Sequence, residues 1–351
     1  MPGHYRFIAG ALAWLLLLPW NPLGAQERRI GHVSFFGQEG FDTDAIRKAL
    51  PFREGDLVPF GGSGAEAAAR DGRWEQSIRD AVMRVIAREP TAVNSVCCDE
   101  RGQLLVYIGL PSASVRPIRY NAAPDGTSSL PESLVTLSER LGELQFKAVA
   151  EGRAAEDYSD GYSLAKDDPE LRKRQLAWRD EVRRNEASVY NVVLSSADAR
   201  QRAIAASALG YARPTDRQID ALVGASFDAD ETVRNNAVRA LAVVAMAQPD
   251  RGRRIPSVRY IDLLSSATWT DRNKGLMVLQ ALTAGRDGAL LRDLRTRAWS
   301  PLIEMAQWPK GHALAARVIL ARIVGVDEQR LSDLVNEEPP NTLLEAVRAQ
   351  R

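Results

Sequence analysis

Histidine and cysteine are scarce in this chain: His4, His32 and His312 are its three imidazoles and Cys97 and Cys98 its two thiols. That scarcity removes whole classes of chemistry. There is no His-x-x-x-His pair, no cysteine set at zinc-ligand spacing and no Gly-x-Ser-x-Gly turn, so zinc and serine-hydrolase readings lack their parts. The glycines Gly61, Gly62 and Gly64 are not followed by the Lys-Ser/Thr of a phosphate loop and read as a flexible turn. No catalytic, cofactor-binding or metal site is expected. Cys97 and Cys98 fall on a strand, where neighbours point to opposite faces, so one should be buried and one exposed. A bond between them would break that geometry, which leaves inert thiols, with a redox switch or an interchain bridge as the alternative.

Net charge is also lacking. The chain has 46 bases against 45 acids, so nothing in the balance points to nucleic acid or an acidic membrane surface. Long apolar runs are confined to the front, where Arg6 precedes a stretch from Phe7 to Trp20 that Pro22 breaks. Leu23-Gly24-Ala25 then offers small residues for cleavage. Residues 1–25 therefore read as a secretory signal peptide, and the rest as an exported chain, periplasmic or extracellular, with no membrane span. Loss of Arg6 leaves 45 bases and 45 acids.

Residues 26–112 carry the pattern β-α-α-β-β. Ile30, Val33, Phe35 and Phe36 suggest a strand. Asp42 or Thr43 caps a helix that Pro51 stops, and Trp74, Ile78, Val82, Val85 and Ile86 line a second helix. Ala92 to Cys98 and Leu104 to Leu110 close the unit, the latter with Leu104, Val106, Ile108 and Leu110 alternating with less buried positions. With V-S-F-F-G-Q-E-G-F and A-L-P-F-R-E-G-D in these places, the unit resembles a polypeptide-transport-associated (POTRA) domain. The resemblance implies a periplasmic module that accepts extended chains along a sheet edge. The membrane β-barrel that usually accompanies it has no counterpart here.

Residues 113–175 read as a linker with one helix, Pro131 to Ala150, and a polar stretch from Glu156 to Glu170. Asp157, Asp160, Asp167 and Asp168 in that stretch lack the order of a calcium hand, so a solvated connection is expected. Pro169 then opens a helix carrying Trp178 and Val182.

From residue 176 to 337 the chain repeats itself. D-A-R-Q-R-A-I-A-A-S-A-L (Asp198–Leu209) aligns with D-E-T-V-R-N-N-A-V-R-A-L (Asp230–Leu241), and looser echoes cover Arg272–Leu279 and Ala313–Leu320. Asp198 and Asp230 stand at helix N-caps, with Arg202 and Arg234 one turn later in i,i+4 order. Each segment follows another apolar helix, and paired helices of this kind bury their faces only by stacking. The strings resemble the core of HEAT repeats. That resemblance implies an α-solenoid of about four hairpins in an α+β chain, ended by a helical tail over residues 338–351. Thr268 and Lys310 replace the capping aspartate and Gly275 an alanine in the later units.

These features together predict a non-enzymatic scaffold that binds a protein partner on the solenoid's concave face near Arg234, Asn235 and Arg272, with the sheet edge as a second contact. The alternative is a redox protein or enzyme accessory subunit using Cys97 and Cys98. Trp269, Trp299 and Trp308 are either partner anchors or packing between repeats. Arg251, Arg253, Arg254, Arg259, Arg292, Arg295 and Arg297 are interspersed with acids and fit a mixed, solvated rim.

Overall fold

The computed structural model describes residues 26–350 except Ser63, so the expected signal peptide lies outside the described residues. The class is α+β. At the front, β1 (Gln26–Phe36), α1 (Thr43–Ala49), β2 (Leu57–Phe60), α2 (Ala65–Ile86), β3 (Ala92–Cys97) and β4 (Leu104–Gly109) form a sheet of order β2-β1-β4-β3. β1 runs antiparallel to β2 and parallel to β4, and β3 is antiparallel to β4. Asp42 caps α1 by accepting from the Asp44 and Ala45 amides. β2 was not expected. It has four residues, too few to show alternation, and it contains Pro59, which is tolerated on an edge because no ladder donor is needed there.

β4 corrects the expected alternation, for all six of its residues are buried. Leu104, Val106 and Ile108 join Ile30, Val33, Ile46, Ile78 and Val82 in a core under α1 and α2. Leu105 and Tyr107 point the other way, with Phe36 and Val96, into the core of the helical half. A strand covered on both faces reads as a continuous apolar run, and L-L-V-Y-I-G is one. Trp269 and Trp308 supply the second cover. Trp269 stacks on Tyr107 at 4.9 Å between ring centroids, and Trp308 meets the same ring edge-on at 5.2 Å. These two tryptophans thus pack the sheet against the helices, while Trp299 is half-buried beneath Arg295.

The helical half begins with α3 (Glu132–Ala150), a short ribbon of β5 (Glu156–Asp157) and β6 (Leu164–Ala165), and α4 (Pro169–Arg184). It continues through α5 (Glu186–Ser195), α6 (Ala199–Leu209), α7 (Asp216–Ala225), α8 (Glu231–Ala247), the single turn α9 (Pro249–Gly252), α10 (Ser257–Leu263) and α11 (Trp269–Leu282). It ends with α12 (Gly288–Met305), α13 (Lys310–Ile323), α14 (Glu328–Val335) and α15 (Asn341–Arg348). α5 packs on α6, α7 on α8, α10 on α11 and α12 on α13, and the second members α6, α8, α11 and α13 pack on one another in series. Asp198 and Asp230 cap α6 and α8 as expected, each carboxylate accepting two amides. α12 kinks at Ala298, three residues before Pro301, whose missing N–H and ring disrupt the helical ladder.

Residues 111–130 are a strap rather than a loose linker. Its Arg116 amide donates to the Ser265 carbonyl, Asn121 to Phe227 and Gly126 to Ser195, and the Ala197 amide returns a bond to Gly126. Those acceptors sit at or just beyond the C-terminal ends of α10, α7 and α5, so the strap meets one helix end for every five of its residues. Its backbone groups, which a free linker would leave to water, are satisfied by the array. The polar stretch behind α3 is likewise built in. Glu156 pairs with Arg239, Asp157 with Arg172 at 3.4 Å, and Asp168 caps α4 through the Leu171 amide.

Candidate binding groove

Each of the first three hairpins carries an arginine at the same place, and its geometry departs from the expected i,i+4 pair. The guanidinium folds back to the carbonyl six residues earlier: Arg202 to Ser196, Arg234 to Asp228 and Arg272 to Ser266. The other side of the fork reaches forward to the next hairpin. Arg202 takes Asp228 in a two-pronged pair at 2.8 Å, Arg234 takes Asp271 at 3.0 Å, and Arg272 takes Glu304 at 3.1 Å. Planar donors in a fixed fork suit this dual role. Glu304 also accepts from the Gly37 and Gln38 amides, so the last rung ties the sheet to the array. Tyr120 of the strap donates to Asp271 while its ring lies 3.9 Å from the Arg234 guanidinium carbon.

These contacts correct the expected docking site. Arg234, Asn235 and Arg272 are 4%, 2% and 1% exposed, so no partner reaches them in this arrangement. Asn235 donates to Asn236, which in turn donates to the Ala203 carbonyl on the neighbouring helix. The cysteine expectation is corrected too. Cys97 and Cys98 are both buried and are bonded to each other, and β3 ends at Cys97. Neither presents a surface thiol. Of the rim arginines, Arg254 meets Asp216 and Asp220, Arg297 meets Asp262, and Arg259 lies over the Phe227 ring.

Other elements cover much of the face formed by α6, α8, α11 and α13. Over α11 and α13 lies the sheet, where Tyr107 hydrogen-bonds His312. Burial and the nearby Lys274 ammonium lower the His312 pKa to about 3, so its ring is neutral. The β5–β6 ribbon lies against α8, with Glu156 on Arg239 and Ser163 accepting from Tyr211 through its carbonyl. Burial works against the Arg239 charge, yet Glu156, Tyr158 and Tyr211 outweigh it and raise its pKa.

Over α6 and the front of α8 the covering element stands off. There α3 leaves a groove of about 650 Å³. Small side chains create the space: Ala199, Ala203 and Ser207 recur every fourth residue along α6, and Gly142 faces them from α3. Trp178, Tyr211, Ile204 and Leu141 line the apolar part, and Asn236 and Arg239 close the far side. Its rim is charged. Arg200 bridges to Glu139 across the mouth, Glu143 is exposed, and Asp230 faces in from the α8 cap.

The lining contains neither histidine nor cysteine, and Ser207 is its hydroxyl from α6. No group of acids, histidines or cysteines among the described residues could hold a metal ion, and no described helix is long and apolar enough to cross a membrane. Sequence reasoning missed Ser207, Tyr211, Asn236, Arg239 and the α3 acids. The recurrence of small residues in α6 was visible, but the element standing opposite was not. No protein-family model matches the sequence, and neither a curated protein nor a solved structure is detectably similar to it.

Proposed function

We propose that this chain is an exported, non-enzymatic interaction protein whose helical half is a HEAT-type solenoid and whose partner docks in the groove between α3, α6 and α8. The observation that carries this reading is an open length of the face formed by α6 and α8: the ribbon and the sheet lie on other parts of the helices, and here about 650 Å³ is left with an apolar floor and a charged rim. A concave, mostly apolar site with a few placed polar groups is the usual form of a binding site. Paired helices packed in series, with an arginine fork repeated from hairpin to hairpin, support the solenoid reading. The front sheet, proposed as POTRA-like, has one face under helices and the other against the array, so any strand it accepts must add along β2 or β3.

Site-specific photo-crosslinking tests the reading. A photoreactive residue at Ser207, inside the groove, is expected to yield a discrete adduct in the cell envelope. The same residue at Leu194, 58% exposed on the outer helix α5, should not yield it. Equal adducts from both positions, or none from Ser207, would contradict it.

A further inference from the structure

Resting on the groove reading above, we infer that the occupant is a basic, amphipathic segment of a partner protein, held by its apolar side chains on the groove floor and by lysine or arginine at the acidic rim. Two features carry this inference. The first is charge left over after internal pairing. The two bases of the lining are already matched, Arg200 by Glu139 and Arg239 by Glu156. Glu143 and Asp230 make no ion pair among the described residues, and the Asp230 carboxylate otherwise caps α8 through the Thr232 and Val233 amides. The lining thus holds Glu139, Glu143 and Asp230 against Arg200 and Arg239, and with Arg239 paired to Glu156 outside the lining, Glu143 and Asp230 are its acids without an ion pair among the described residues. Complementary charge at a rim sets partner choice and encounter rate, while a like charge there is disfavoured.

The second is shape. The walls run along helices, Ser138 to Gln145 on α3 and Ala199 to Ser207 on α6, which at a rise of about 1.5 Å per residue gives a trough of roughly 10–12 Å. Two turns of a helix fit such a trough, with side chains at i, i+3, i+4 and i+7 as anchors. Ala199 and the edge of Ile204 offer those anchors apolar surface, with Trp178 itself buried, and Asn236 marks the polar end. A nucleic-acid segment is the wrong sign, since its phosphates would meet Glu139 and Glu143.

The test uses the full chain without residues 1–25 and three fluorescein-labelled 14-residue peptides. All three share leucines at helical spacing and differ only in carrying lysine, glutamine or glutamate elsewhere. Fluorescence anisotropy at low salt is expected to rank them lysine, glutamine, glutamate, with at least tenfold between the first and last. Glu143→Lys should weaken the lysine peptide about fivefold, and Ser207→Trp, which fills the trough, should abolish its saturable binding. Because Glu143 is exposed, its substitution leaves the fold intact even if Ser207→Trp does not. If the three peptides bind alike and Ser207→Trp still abolishes binding, the charge inference fails and the groove reading stands. If Ser207→Trp, folded by its melting curve, leaves lysine-peptide binding unchanged, the groove reading fails with it.

Discussion

At the scale of single residues, the arginine forks and one buried lysine account for much of what is distinctive. Arg234 is enclosed, and removing it strands Asp271 and the carbonyls of Asp228 and Ala229. Breaking one side of such a buried pair typically costs about 3–5 kcal/mol. Arg234→Ala should therefore lower the melting temperature sharply, and Arg234→Lys should not restore it, because an ammonium cannot reach both hairpins at once. Lys274 behaves differently. Burial, aided by Arg239 and opposed by Glu156, lowers its pKa from 10.5 to about 7. The unfolded chain thus binds a proton that the fold refuses between these values, so this residue's contribution declines as pH falls from about 10.5 to about 7 and is constant below. Lys274→Met should remove that slope. In denaturation at pH 10, 8.5 and 7 the variant is expected to gain on the native chain at each step down, whereas a constant difference would refute the assignment.

At the scale of elements, the strap joins what the sequence reads as separate parts. Gly126 is packed so closely that an added Cβ would lie 2.4 Å from the Ser195 carbonyl oxygen. Overpacking of this kind commonly costs about 1–3 kcal/mol. Gly126→Val should lift the strap from the α5–α6 turn, seen as faster exchange of the amide at position 126 and at Ala197 with little change at Arg116. Several helix starts were legible in the sequence for good reason: Asp42, Asp198 and Asp230 signal them locally and Pro169 opens α4, whereas the cap at Asp168 falls in a stretch that reads as a solvated connection. The strap was not, because Pro, Ser and Asn composition describes a chain without regular structure and says nothing of where its amides bond. The groove was hidden for a related reason. Ala199, Ala203 and Ser207 are equally suited to close helix packing and to an open trough, and only the placement of α3 decides between them. The expected roles of Arg234 and Arg272 failed similarly, since a periodic arginine looks the same whether it faces water or the next hairpin.

At the scale of the molecule, one face of the sheet, the strap and the C-terminal helices share a core, in which Phe36 and Tyr107 of the strands stand with Trp269 and Trp308 of the array, while the other face of the sheet holds a second core with α1 and α2. Parts tied together in this way should unfold together: tryptophan fluorescence and far-ultraviolet circular dichroism are expected to give coincident transitions, and two separated midpoints would show independent units. Over α6 and α8 that core leaves the groove open, and the functional account stands on it. The most direct measurement is isothermal titration of the partner captured by crosslinking at Ser207 against the native chain and the Ser207→Trp variant, with melting curves recorded for both. The account predicts at least tenfold weaker binding by a variant that melts within a few degrees of the native chain. Equal affinity in a folded variant would place the partner elsewhere and contradict it.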